Sequence, residues 1–217
     1  MLQNISKKWI KTFVFLLSLS QIILADDRVF PLNDSIKKEM SGASYHQRCP
    51  VGINELRLVK VKYLGFDGNT KNGELVVHQS IANEVVTIFD ELYDIDYPIK
   101  QIVRIDKFKG SDFASIEADN TSAFNCRKAT GGGKWSKHSY GKAIDINPIE
   151  NPYIFRGGST SHKASYKYIN RNIKNINTPQ EKAMLLPNSK AVKIFKKYGW
   201  RWGGDWRVKD YQHFDKQ

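Results

Sequence analysis

The chain has 217 residues, 41% of them hydrophobic and 26% charged, with no repeat and no low-complexity run, which suits one well-packed domain and leaves little for two. Its 34 Lys and Arg against 22 Asp and Glu give a formal charge of +12, a balance suited to anionic polymers such as cell-wall carboxylates and phosphates. No helix-turn-helix, zinc-finger or aromatic-basic RNA motif accompanies that charge, so nucleic acid is set aside as a partner.

The chain opens with Lys7, Lys8 and Lys11, an apolar run from Thr12 to Leu24, and Ala25. That order of basic, apolar and small regions is the pattern of a secretory signal peptide spanning 1–25. The run is short of the roughly 20 apolar residues of a bilayer crossing, although an uncleaved anchor is the alternative reading. Cleavage after Ala25 would remove three lysines and take the charge from +12 to +9. Export to a periplasm or the cell exterior, with no membrane span left after cleavage, follows. In that setting Cys49 and Cys126 are expected to form a disulfide.

Residues 26–50 are polar and turn-rich and read as an extended lead-in with one short helix, ahead of a single domain over 51–217. "ELRLVKVKYLGF" alternates apolar and polar residues, "DGNTKNG" supplies turn chemistry and "ELVVH" resumes the alternation, so the two runs form a hairpin. From Gln79 to Tyr93, Ile81, Val85, Ile88, Phe89 and Leu92 recur at helical spacing. "IKQIVRIDKF" is expected as a further strand, and 109–134 as a long loop of the kind that carries function. "AIDIN" is a short strand stopped by Pro148, and 149–178 a polar excursion. "NSKAVKIFKKYG" is a helix with Asn188 or Ser189 as its N-cap and Gly199 as its stop, and "YQHF" is a closing strand. This order implies an α+β domain, a small antiparallel sheet with helices packed on it.

Chemistry concentrates at two places. In a strand through Ala143–Asn147, Ile144 and Ile146 share one face and Asp145 the other, and Gly141 permits a turn that returns His138 beside Asp145. Of the remaining histidines only His213 has a comparably rigid setting, in "DYQHF", where Phe214 can face the core and His213 the site. Two imidazoles and one carboxylate are zinc ligands that leave a fourth position open, the composition of a catalytic site. Such a site needs a second carboxylate to take a proton from water and pass it to a leaving amine, and Asp210 stands in place for that.

"SKHSYGKAID" and the closing "WGGDW" and "DYQHF" resemble the signatures of the zinc D-alanyl-D-alanine carboxypeptidase family, the VanY-like and endolysin-like peptidoglycan peptidases. "CPVGINELRLVKVKYLGFDG", "GELVVH" and "NTSAFNCR" are similar to one branch of it, which extends the resemblance from about Cys49 to Phe214. The resemblance implies a fold shared with hedgehog-type and lysostaphin-type domains and one zinc ion held by His138, Asp145 and His213. It places Asp210 as the base where many members have Glu, one methylene longer. Arg127 matches a position where arginine recurs, suited to clamp a substrate carboxylate or an oxyanion, or else a surface charge. Ser136 orients the site, contacts substrate or forms the turn. Asp205 binds a substrate amine, supports His213 or caps a turn. Trp206 and Trp202 wall the groove or fill the core. The glycines at 131–133 form no phosphate loop, because no Lys-Ser/Thr follows in register.

The implied activity is hydrolysis of amide bonds in peptidoglycan stem peptides by a monomer, at D-Ala-D-Ala or at L-Ala-D-Glu. The rival reading is a wall-binding or signalling module that keeps the metal for structure alone.

Overall fold

The computed structural model describes residues 27–173 and 176–217. The expected signal segment lies outside them, and among the described residues no helix is long and apolar enough to cross a membrane.

The largest sheet is built on a hairpin. Strand β2 (Leu56–Gly65) runs antiparallel to β3 (Thr70–His78), with Leu56 opposite His78 and Leu64 opposite Thr70. Val59, Val61 and Tyr63 face a core shared with the helix α2 (Ala82–Asp94), which contributes Val85, Val86, Ile88, Phe89 and Leu92. The other face of β2 changes character along its length. Leu56 and Leu58 are buried, while Lys60 and Lys62 are exposed.

That change has its cause in residues 26–50. The expected extended lead-in contains a three-residue strand, β1 (Val29–Pro31), paired antiparallel to β2, as well as the expected short helix, α1 (Asp34–Met40). Met40 and Leu32 cover Leu56, Leu58, Val76 and Phe124 in a second apolar cluster. The Cys49–Cys126 disulfide, with Cα atoms 5.7 Å apart, ties this lead-in to the chain approaching the turn around His138.

The strand expected across 99–108 is not continuous. Its apolar residues are shared between β4 (Pro98–Ile99), parallel to β2, and β5 (Gln101–Ile102), parallel to β6 (Asn120–Thr121). Arg104 then turns inward to Glu39 at 2.5 Å and Glu74 at 3.5 Å, and a 3-10 turn over Ile105–Phe108 ends the extended run. The long loop expected over 109–134 likewise holds a short helix, α3 (Asp112–Glu117), capped by the Ser111 hydroxyl accepting from the Ala114 N–H.

The third sheet has the order β7 (Ala143–Asp145), β9 (His213–Asp215), β8 (Arg201–Trp202). A short helix α4 (Pro179–Lys182) and the helix α5 (Lys190–Lys197), with Ser189 as N-cap, precede β8. Phe195 of α5 stacks on Phe214 at 3.9 Å, and Ile144, Ile146 and Trp202 complete the packing. The fold is therefore α+β as expected, with three small sheets among the described residues in place of one, two of them mainly antiparallel and the third the parallel pair β5–β6.

The excursion after β7 is anchored by buried polar groups. Arg171 donates to the carbonyl oxygens of Glu150, Tyr168 and Leu185 and to Asn151 Oδ1. Glu150 is buried, and that burial, with the neighbouring Asp119, pushes its carboxyl up to about 9.

Two expectations follow. Replacing both cysteines by serine should lower stability by about 2–4 kcal/mol, read as a fall in the denaturation midpoint, and the unfolded native chain should titrate no free thiol. For Glu150, the acid is protonated in folded and unfolded chains alike below its ordinary value of 4.5. As pH rises from there toward about 9, the unfolded chain releases a proton that the folded chain keeps, so stability falls across that window. Glu150→Gln should flatten the decline in a series of melting temperatures from about pH 5 to pH 9.

Candidate metal centre

A single 3-10 turn, Lys137–Tyr140, presents the first histidine. The Ser136 hydroxyl accepts from the His138 N–H at 3.3 Å, and Gly141 closes the turn at φ +65°. A Cβ at Gly141 would lie 2.6 Å from the His78 backbone nitrogen, so both conformation and space require glycine there. Ser139, fully buried, accepts from the Arg127 N–H at 2.9 Å and donates to the Arg127 carbonyl at 2.6 Å, which fixes the cysteine-bearing segment to this turn.

The pairing of β7 with β9 supplies the other two residues. Asp145 lies opposite His213, while their neighbours Ile144 and Phe214, also paired, point into the core. His138 Nε2 is 3.1 Å from Asp145 Oδ2 and 3.1 Å from His213 Nδ1, and His213 Nδ1 is 2.9 Å from Asp145 Oδ1. All three side chains are buried, and their ligand atoms lie within 4.8 Å of one another.

The surroundings fix which atoms face inward. His138 Nδ1 lies 2.5 Å from the Ala123 carbonyl oxygen; a carbonyl can only accept, so Nδ1 carries hydrogen and Nε2 is the ring nitrogen left to face the cluster. His213 turns Nδ1 to the cluster and Nε2 toward Asp215 Oδ2, 3.6 Å away. Asp215 is gripped in turn by Arg201, from Nε at 2.7 Å and Nη2 at 2.9 Å. Burial works against its charge, but the hydrogen bonds of His213 and Arg201 hold Asp215 at about 2.

Burial also works against a charged His213, yet hydrogen bonds to Asp145 and Asp215 push it up to about 10. Asp145, although buried, is held far below the usual carboxylate range by His138 and His213. The cluster thus demands a cation among its donors, and a metal ion competes with protons for that place. Two imidazole nitrogens and one carboxylate oxygen, with one side open to a cleft, fit zinc.

Asp210 sits in the turn before β9 and lines the same cleft. Its Oδ1 is buried with no hydrogen-bond partner among the described residues. Burial, reinforced by the Asp145 charge and opposed by the histidines, raises its carboxyl to about 6. Gly203 makes this placement possible: its carbonyl oxygen accepts from the Asp210 N–H at 3.1 Å, and a Cβ there would lie 2.4 Å from the Asp210 carbonyl oxygen.

The cleft has a volume of about 620 Å³. Arg127, Ser136 and Trp206 line it with the cluster, and Trp206 lies 5.3 Å from the His213 ring. Arg127 is paired with Asp112 of α3. Trp202 belongs to the core, donating from Nε1 to the Tyr211 carbonyl. Asp205 is not brought to the cleft: its half-exposed carboxylate pairs with Lys196 at 2.7 Å, and the acid beside His213 is Asp215. Asp215 is two residues beyond His213 in the same strand, and period-two alternation would have placed both on one face. A second group of possible ligands, His46, Cys49 and Cys126, has its sulfurs committed to the disulfide.

A family model described as D-alanyl-D-alanine carboxypeptidase matches residues 130–216, the segment that holds His138, Asp145, Asp210 and His213. No curated protein and no solved structure matches the chain. The match supports the family to which the sequence motifs point, a family of zinc peptidases.

The convergence of three donors sets an expectation for metal content. Wild-type protein dialysed against zinc should retain one equivalent by elemental analysis, and His138→Ala or His213→Ala should bind it at least tenfold more weakly. Because a ligand that binds only the folded chain stabilises it, a chelator should lower the melting temperature of the wild type more than that of either variant.

Proposed function

We propose that the chain is an exported zinc metallopeptidase that hydrolyses amide bonds in peptidoglycan stem peptides, with His138, Asp145 and His213 holding one ion. The observation that carries this reading is the buried His-Asp-His cluster opening onto a cleft that also contains the raised carboxyl of Asp210, one oxygen of which is buried without a partner among the described residues. The family match over the same segment supports it, and the hedgehog-type fold relationship is part of the same proposal. The disulfide accords with export.

When bound, zinc supplies a Lewis acid toward the scissile carbonyl and lowers the pKa of water in its open position toward about 7. The chain's own residues do the rest. Asp210 accepts the proton of the attacking water and returns it to the amine as the C–N bond breaks, a role suited to a carboxyl near 6 that can hold or release a proton. Arg127, fixed by Asp112 and by the Ser139 clamp on its backbone, offers its remaining N–H groups to a substrate carboxylate or to the developing oxyanion. Ser136 holds the turn that aims His138, and Trp206 walls the cleft beside His213. Asp215, braced by Arg201, orients the His213 ring. The substrate is given as a class, stem peptides cut at D-Ala-D-Ala or L-Ala-D-Glu, and the chain acts as a monomer.

A module that kept its metal only for structure would have no use for a raised carboxyl with a buried, unpartnered oxygen beside the cluster, and so Asp210 favours the enzyme. Asp210→Asn should keep zinc and lose roughly 10²- to 10⁴-fold in turnover, the usual contribution of general acid–base catalysis. Mass spectrometry of purified peptidoglycan after digestion checks it. Zinc-loaded wild type that releases neither D-Ala nor new stem-peptide ends would overturn the peptidase reading.

A further inference from the structure

One wall of the cleft has polar chemistry that the proposed reaction does not use. His162 is buried, lines the cleft and sits within the excursion after β7, with Nδ1 2.5 Å from Oε1 of Glu117 at the end of α3. A carboxylate accepts, so Nδ1 donates, and Nε2 is the remaining polar atom of the ring; among the described residues it has no hydrogen-bond partner. Phe113, on the same helix, lies against the ring at 4.8 Å and is itself 60% exposed. Phe155, 39% exposed, packs edge-on to Tyr153 across the same wall. A buried, braced imidazole with an exposed phenylalanine on its ring, in a cleft that a second exposed phenylalanine also lines, is characteristic of a binding surface.

The charge of the cleft selects the ligand. Three of its acids are already paired, Asp112 with Arg127, Asp145 with the two cluster histidines and Asp215 with Arg201, and Glu117 behind His162 is paired with that ring. Asp210 is half-buried, and its carboxyl is raised. Lys134 and Lys137 line the cleft and have no ion-pair partner among the described residues. Lys134 and Lys137 are therefore cations available to an incoming anion, and a carboxylate approaching Nε2 would meet a donor there when the ring carries hydrogen on both nitrogens, a charge-assisted hydrogen bond.

We propose that His162, braced by Glu117 and shielded by Phe113, is a specificity-determining subsite that seats a free carboxylate of the peptide substrate away from the cut bond. This rests on the reading of the chain as a stem-peptide hydrolase. The helix α3 then serves both recognition groups of the cleft, Asp112 holding Arg127 and Glu117 holding His162.

Three zinc-loaded proteins, wild type, His162→Gln and Glu117→Gln, are compared on stem peptides carrying all carboxylates free, the internal carboxylate amidated, or the terminal carboxylate amidated. The wild type should prefer the free form over one of the amidated forms by roughly tenfold to hundredfold in kcat/KM, the range of a hydrogen bond to a charged group. The amidation that matters identifies which carboxylate is seated. Both variants should lose most of that preference. A preference retained in His162→Gln, or absent from an active wild type, overturns the subsite and leaves the peptidase reading standing. If no peptide is cut, the same three are titrated by calorimetry. A preference in affinity that His162→Gln abolishes upholds the subsite while the peptidase reading falls, and equal affinities overturn the subsite.

Discussion

The site depends on one register. Pairing of β7 with β9 sets Ile144 against Phe214 and Asp145 against His213. Because side chains alternate across a strand, the pair in the core and the pair in the site cannot be chosen independently. Slipping either strand by one residue would expose an isoleucine or a phenylalanine that is now fully buried, and would bury His213 against α5 instead of beside Asp145. The hydrophobic effect thus enforces a polar geometry. Burial of Phe214, stacked on Phe195 and close to Trp202, is what holds the His213 ring where His138 Nε2 can meet it.

Around that register each polar group is braced by another with an opposing requirement. His138 donates to the Ala123 carbonyl, His213 faces Asp215, and Asp215 is neutralised by the two-pronged contact with Arg201. Buried charges are tolerated only when partnered, so these groups form a chain that reaches the half-exposed Arg201 side chain at the surface. Asp210 is the exception among the carboxylates of the cleft: it has a buried oxygen with no partner, and the raised carboxyl is the consequence of that desolvation. An unpartnered acid costs stability, which is consistent with retention for chemistry, as the proposed function requires.

Long periodic elements were legible in the sequence, and short ones were not. The ten residues of β2 and the helix α2 carry enough alternation or helical spacing to declare themselves. The two-residue strands β4, β5 and β6 have no period to read, and the apolar spacing of Ile99, Ile102, Val103 and Ile105 suggested one strand where the chain changes partners twice. Arg104 ends that run through acids 65 and 30 positions away, Glu39 and Glu74, which no local pattern announces. Two of the three cluster residues were readable because they stand beside core anchors: Ile144 and Ile146 for Asp145, Phe214 for His213. Asp205 and Asp215 offered the same chemistry, and strand alternation, applied one step beyond His213, separates them. The His162–Glu117 pair joins positions 45 apart, one within an irregular excursion and one in a six-residue helix, so only the folded chain brings it into view.

The aspartate at position 210 raises a geometric problem that the glycines of "WGGDW" resolve. An acid one methylene shorter than glutamate reaches the same point only if its backbone is carried closer. Gly203 allows that approach, since its backbone hydrogen-bonds the Asp210 N–H and any Cβ on it would collide with the Asp210 carbonyl and come within 2.9 Å of the Asp210 Cβ. Gly204 is constrained differently, by the Trp202 ring, which a Cβ would meet at 2.2 Å. The two glycines therefore have separate tasks, one admitting the short acid to the cleft and the other letting the turn close over a core tryptophan. A side chain at 203 would collide with the Asp210 backbone, so this placement of the acid requires glycine there.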